Sequence, residues 1–168
     1  MTIHRYGEET GDPYKAILGN GVSRIDEKHW QGGYPVEPER LTEFGFDVIV
    51  LAAYELQPDD EDRQRFPPAV KIICAPLDDD YNRDLKPEEI VIATNAANDA
   101  LEALYTKKRV LVTCAAGRNR SGLISALMLM GRRGVSGKDA AAWVRGARAG
   151  ALTNPRFLEF LERLPPQR

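Results

Sequence analysis

Apolar residues come along this chain in short unbroken runs, separated by longer stretches in which they recur every three or four positions. Asp47–Ala53 (DVIVLAA), Val70–Ala75 and Val110–Thr113 are the runs. Each has strand length and the continuity expected of strands covered on both faces. Val22–Ile25 and Lys28–Gln31 read as two further short strands, the second ending at the turn signal Gly32-Gly33. Between the runs, Ile90, Ala93, Ala97, Leu101 and Leu104 keep a helical period that predicts a helix over Pro87–Tyr105, with Pro87 in its first turn. Glu37–Phe44 predicts a short helix closed by Gly45. Leu123–Arg132 reads as a buried helix ended by Gly134. Ser136 then caps a helix running to about Arg148, and Asn154–Leu164 forms the last one. Gln57–Pro68 is acidic and Pro-flanked, a solvated loop or short helix.

Strands that alternate with helices predict an α/β fold: a single domain with a mainly parallel central sheet of about 4–5 strands, flanked by helices. Residues 1–20 are polar and Gly-containing, an irregular lead-in to a domain over 21–168. Ligands in such folds sit at the carboxyl ends of strands. Two polar segments fall there: the acidic turn Asp78-Asp79-Asp80 and the segment beginning at Cys114.

The 168 residues suffice for one core, and 43% hydrophobic with 29% charged residues argues against extended disorder. A net charge of −2 gives no global field to hold nucleic acid or an anionic membrane. No apolar run has the length of a membrane span, and Met1–Asp12 lacks the apolar core of a signal peptide. With only Cys74 and Cys114 there is no disulfide framework, so a reduced, cytoplasmic protein is expected. His4 and His29 lie far from both cysteines, and neither a metal site nor a cofactor is expected. A nucleophilic cysteine here has to act without a neighbouring histidine base.

Cys114-Ala115-Ala116-Gly117-Arg118-Asn119-Arg120-Ser121-Gly122 meets that requirement. A strand delivers the cysteine into a tight loop, and the loop opens a helix. Successive backbone N–H groups of such a loop turn inward to cradle an anion, and the helix N-terminus adds to their field. Gly117 provides the conformational freedom of the bend. The same field favours a thiolate at its centre. Arg120, in the first helical turn, presents a planar fork suited to two oxygens of a phosphoryl group.

The spacing Cys-x5-Arg-Ser, with Gly third after the cysteine, resembles the signature loop of the cysteine-dependent protein tyrosine phosphatase superfamily. Gly134–Ala140, Val144-Arg145, Arg148, Asn154-Pro155, Phe157-Leu158, Gln31-Gly32-Gly33 and the DVIVLAA strand are similar to its dual-specificity branch. The likeness covers the chain from about Val22 onward. It implies a metal-independent phosphatase working through a phosphocysteine on Cys114. Arg120 and the backbone N–H groups from Ala115 through Ala116, Gly117, Arg118 and Asn119 would hold the phosphate oxygens. Ser121 would donate to the sulfur as it leaves. An aspartate after the preceding strand would protonate the leaving oxygen and then activate water. Asp78, Asp79, Asp80 and Asp84 are all near enough; Pro76-Leu77-Asp78-Asp79 favours Asp79, with Asp80 next. The chain departs from the pattern at Thr113, where a histidine usually stands. A hydroxyl supplies neither ring nor charge, so weaker support of the thiolate and a displaced pH optimum are expected.

Small Ala115 and Ala116, with Arg118 as the loop's one further cation, favour phosphotyrosine or phosphoserine/threonine in proteins as substrate. RNA 5′-polyphosphate and phosphoinositide are the alternatives; Asn119 is also found before the arginine in RNA 5′-triphosphatase relatives. A phosphate-binding pseudophosphatase is the rival of another class, and sulfur transfer or arsenate reduction a third; arsenate reduction usually needs partner cysteines, and only Cys74 is available. Oligomeric state stays open. Other residues have plainer readings: Cys74 as a buried strand residue, Gly32-Gly33 as a turn, Trp30 and Trp143 as anchors, His29 as structural or exposed. Asn154 serves equally as a helix N-cap or a buttress of the loop.

Overall fold

A computed structural model describes residues 21–166; the lead-in read over 1–20 lies outside the described residues. Five strands make one sheet: β1 (Val22–Asp26), β2 (His29–Gly33), β3 (Val48–Ala53), β4 (Lys71–Leu77) and β5 (Val110–Cys114). Their order is β1-β2-β5-β3-β4; β1 and β2 are antiparallel, and the other pairs are parallel. Helices α1 (Asp60–Gln64), α2 (Pro87–Tyr105), α3 (Arg120–Arg133), α4 (Gly137–Ala147) and α5 (Pro155–Glu162) follow in chain order, with 3-10 turns over Pro38–Phe44 and Tyr54–Leu56. The α/β architecture with a mainly parallel five-stranded sheet is the one expected, and α2 has the predicted limits.

Strand alternation sorts the core into two layers. Val48, Val50 and Ala52 of β3 and Val110, Val112 and Cys114 of β5 face the layer built with α2, α3, α4 and α5. Ile49, Leu51 and Leu111 face the other side, where Trp30, Leu41, Phe46 and Phe66 cover them. The Trp30 and Phe46 rings meet edge to face at 5.8 Å. Helix α3 is buried on every side from Arg120 to Met130 because it packs between the sheet, α2 and α4. Cys114 therefore points towards the layer that contains the start of α3.

Three expectations need correction. β4 is an edge strand, so its pattern alternates and Cys74 is exposed, with Arg63 Nη2 at 3.4 Å from its sulfur. Gly32 and Gly33 are not a turn; they belong to β2 and pair with Thr113 and Cys114. The stretch Leu123–Arg132 understates its helix, which starts at Arg120, the residue expected in its first turn, and runs straight out of the loop.

Candidate active site

Strand β5 ends at Cys114 and α3 begins at Arg120, so five residues make the reversal. Gly117 takes φ +72° at its sharpest point, and a Cβ there would run into the Gly32 carbonyl group. That close approach explains Gly117: the loop rests on the backbone of β2. Gly32 answers to a different neighbour, since a Cβ there would meet Gly21 O and Val22 Cγ1. Tyr34 N donates to Ala115 O at 3.2 Å, and Gln31 Nε2 donates to Gly117 O at 3.0 Å. Arg148 reaches in from the end of α4. Its Nε donates to Gly117 O at 2.6 Å, Nη2 to Ala116 O at 3.4 Å, and Nη1 to Ser23 Oγ at 3.1 Å. With these carbonyls drawn outward, the loop N–H groups are left for its concave side. Burial pulls the Arg148 guanidinium below its ordinary value; the charge of Cys114 opposes this and that of Arg118 adds to it.

Cys114 is buried, and Ser121 Oγ lies 3.3 Å from its sulfur, within reach of a hydroxyl-to-sulfur hydrogen bond. Arg120 is also buried. Its Nη1 and Nη2 meet the two oxygens of Glu55 at 2.5 and 2.7 Å, and Nη1 also donates to Leu77 O at 3.2 Å. Its Nε is buried with no protein partner, a charged donor held ready for an acceptor. Burial opposes the charge of Arg120, but the Glu55 hydrogen bonds and the charges of Cys114, Glu55 and Asp79 outweigh it and hold the group above its ordinary value. The Arg120 hydrogen bond in turn holds Glu55 below the usual carboxylate range.

The acidic turn divides around Arg83. Asp78 and Asp80 each lie 3.5 Å from its guanidinium, which is itself anchored on the buried Glu89 at 2.6 Å. Asp79 turns the other way. Its Oδ2 accepts from Asn119 Nδ2 at 3.0 Å and its Oδ1 from Asn154 Nδ2 at 2.8 Å. Asp84 lies against Arg156 at 3.5 Å and is largely exposed. Of the four aspartates considered, Asp79 is the one whose carboxylate meets the Cys114–Ser121 loop.

The remaining residues sort by environment. Ala115, Ala116 and Arg118 are exposed at the rim, whereas Asn119 is buried with its side chain directed away from the sulfur and towards Asp79. Thr113 is buried and donates to Val50 O at 2.8 Å, so its hydroxyl serves the neighbouring strand. Loop bracing comes instead from Gln31 and Arg148. Asn154 fills both roles considered for it: Oδ1 caps α5 through Arg156 N at 2.9 Å, while its backbone N–H bonds Asn119 Oδ1 at 2.9 Å. Glu55 was not singled out in the sequence; its signal was its place just beyond the carboxyl end of β3. Among the described residues no three His, Cys, Asp or Glu side chains gather as a metal ion requires, and no helix is long and apolar enough to cross a membrane.

Residues 31–164 match the family described as dual specificity phosphatase, catalytic domain. The chain is similar to the crystal structure of a mouse putative dual specificity phosphatase complexed with zinc tungstate, at 24% identity and TM-score 0.69, covering 84% of each chain. It is also similar to Tk-PTP in its active form, at 26% identity and TM-score 0.66, covering 84% of this chain and 95% of that one. Human DUSP28 matches at 23% identity and TM-score 0.66, covering 84% and 90%. No curated protein matches the chain in sequence.

Proposed function

Because this chain belongs to the dual specificity phosphatase catalytic-domain family, we propose that it hydrolyses phosphomonoesters through a phosphocysteine on Cys114. The observation that carries this reading is the Arg120 fork, fixed on Glu55 and Leu77 with its buried Nε unpaired, in a loop whose strand end presents a buried cysteine. A phosphoryl group in transfer spreads charge over three equatorial oxygens, and Arg120 with the loop N–H groups supplies donors for them.

In the first step the Cys114 thiolate attacks phosphorus, the S–P bond forms and the ester P–O bond breaks. The carboxyl of Asp79 gives its proton to the departing oxygen and becomes a carboxylate. In the second step that carboxylate takes a proton from water as the water oxygen attacks phosphorus. The S–P bond then breaks, inorganic phosphate forms, and Cys114 returns to thiolate accepting from Ser121 Oγ, 3.3 Å away. Each proton and electron pair is returned over the cycle.

The substrate class we infer is phosphotyrosine or phosphoserine/threonine in proteins. Two alanines at the exposed rim leave the mouth open to a peptide, and Arg118 is the one exposed cation of the loop. Hydrolysis of para-nitrophenyl phosphate with EDTA present tests the reaction, comparing wild type with Cys114→Ser. Turnover abolished by Cys114→Ser is the expected result. Phosphate binding without turnover in the wild type overturns the reading in favour of a binding module. A panel of phosphotyrosine peptide, phosphoserine peptide, 5′-triphosphorylated RNA and phosphoinositide then tests the substrate, with the two peptides expected to lead.

A further inference from the structure

We propose that the side chain of Asn119 is the positioning group that couples the acid–base aspartate to the phosphate cradle, its amide acting on the reaction through Asp79. This rests on the role given to Asp79 in the proposed function.

Asn119 occupies the N-cap position of α3, where an asparagine ordinarily folds its side chain back on the N–H groups of its own helix. Here it does not. Its backbone is helical, at φ −95° and ψ −59°, and the side chain makes no capping bond. A buried amide directly beside Arg120 is thus spent elsewhere, and the first N–H groups of α3 are left without a side-chain cap. Both consequences suit an anion site, because the uncapped end keeps its positive field.

The amide is instead satisfied by two segments outside its own helix, residues 79–81 and 153–154. One Nδ2 hydrogen goes to Asp79 Oδ2 at 3.0 Å and the other to Tyr81 Oη at 3.0 Å. Oδ1 accepts from Thr153 N at 2.7 Å, Asn154 N at 2.9 Å and Thr153 Oγ1 at 3.3 Å. Tyr81 Oη and Thr153 Oγ1 are 2.8 Å apart. A consistent direction follows around the ring, with Asn119 donating to Tyr81, Tyr81 to Thr153, and Thr153 back to Asn119. The orientation of the amide is fixed as well, since a flip would set its oxygen against the Asp79 carboxylate and its NH2 against two backbone N–H groups.

The second carboxylate oxygen of Asp79 is held by Asn154, whose backbone N–H is bonded to Asn119. Both oxygens of Asp79 are therefore referred to one side chain, directly or through one neighbour. Asp79 and Arg120 are thereby kept in a fixed relation across the gap between two loops. A displacement of about 1 Å in a catalytic group is enough to cost some 100-fold in rate. No other described hydrogen bond joins the Asp78–Asp80 turn to the Cys114–Ser121 loop.

The test compares two esters that differ in their need for an acid. Para-nitrophenolate departs readily without a proton, whereas the phenolate of phenyl phosphate has a tyrosine-like pKa of about 10 and needs one. Wild type, Asn119→Ala, Tyr81→Phe and Asp79→Asn are assayed on both, with circular dichroism and thermal melts checking the fold. Asn119→Ala is expected to lower kcat/KM on phenyl phosphate about 10- to 100-fold more than on para-nitrophenyl phosphate, approaching the split shown by Asp79→Asn. Tyr81→Phe, which removes one hydroxyl at a half-exposed ring, should show a smaller split of the same sign, and it carries the test should Asn119→Ala unfold. Equal losses on both esters in these variants overturn the proposal, because they place Asn119 in the cradle or the scaffold. Absence of a split in Asp79→Asn overturns the assignment of Asp79 itself. Wild type inert on both esters overturns the hydrolase reading and this one with it, a result distinct from the other two.

Discussion

Glu55 grips both terminal nitrogens of Arg120 in a bidentate pair, at 2.5 and 2.7 Å, while its own side chain is 52% exposed. Although Arg120 is buried, its partner is half exposed, so water screens the pair from the Glu55 side and it adds only about 1 kcal/mol to global stability. Its value lies in aiming the fork. Glu55→Gln is therefore expected to move the melting temperature by only a few degrees, roughly the shift that 1 kcal/mol gives a domain of this size. The same change should lower kcat/KM on para-nitrophenyl phosphate about 10- to 100-fold. An unchanged kcat/KM would show that Arg120 needs no such anchor.

Gly117 gives a prediction of the opposite kind, in which stability and activity fall together. At φ +72°, a methyl group added here would meet the Gly32 carbonyl carbon, with Gly32 O and Gly33 N each 2.6 Å away, and this backbone has nowhere to go. Left-handed strain of about 1–2 kcal/mol adds to overpacking of about 1–3 kcal/mol. Urea unfolding of Gly117→Ala should show a loss of that combined order, and phosphatase activity should disappear. Full activity in a stable variant would mean that the loop does not rest on β2.

What the sequence made legible was what is contiguous in it. Cys114 to Ser121 is a strand end, a bend and a helix start in one stretch, so its geometry follows from local rules. Pro87–Tyr105 declared itself by period and by its proline. Within the acidic turn Asp79 was favoured only through the family resemblance, because what turns Asp78 and Asp80 one way and Asp79 the other is Arg83, braced on Glu89. Glu55 stands 65 positions before the arginine it holds, and nothing local announces the pairing. Cys74 and the Gly32-Gly33 pair were misread for the same reason. Whether a strand lies at the edge of a sheet, or carries a loop against its backbone, is decided by its neighbours in space.

Arg148 stands in for the bracing that Thr113 does not provide. It is partly buried and donates to Gly117 O, Ala116 O, Gln31 O and Ser23 Oγ. Arg148→Lys keeps the charge but loses the fork. Inorganic phosphate, measured by calorimetry or as a thermal shift, is expected to bind at least about 10-fold more weakly to this variant. Arg148→Met should add a loss of about 2–3 kcal/mol in urea unfolding, since several carbonyls lose their donor. Phosphate affinity unchanged in both variants would remove Arg148 from the site.

His29 supplies a pH dependence that is independent of the chemistry. Its Nε2 lies 3.0 Å from Ser125 Oγ in the core, and burial depresses its pKa from 6.5 to about 3, an effect that the charge of Asp26 opposes and that of Arg132 reinforces. Between those two values the unfolded chain binds a proton at this position and the folded chain does not. Unfolding is therefore favoured as the pH falls, and stability rises with pH through the window from about 3 to 6.5. The slope from this one group approaches about 1.4 kcal/mol per pH unit inside the window and vanishes above it. Asp26, whose burial is outweighed by its hydrogen bond and charge pairing with Arg133, adds a loss of the same sign only below the ordinary carboxylate range. Urea unfolding followed from pH 7.5 down to about 4.5 should show the decline in wild type and a much flatter profile in His29→Gln, which keeps a polar partner for Ser125 without the titration. Parallel profiles in the two proteins would show that His29 does not govern the acid sensitivity of this fold.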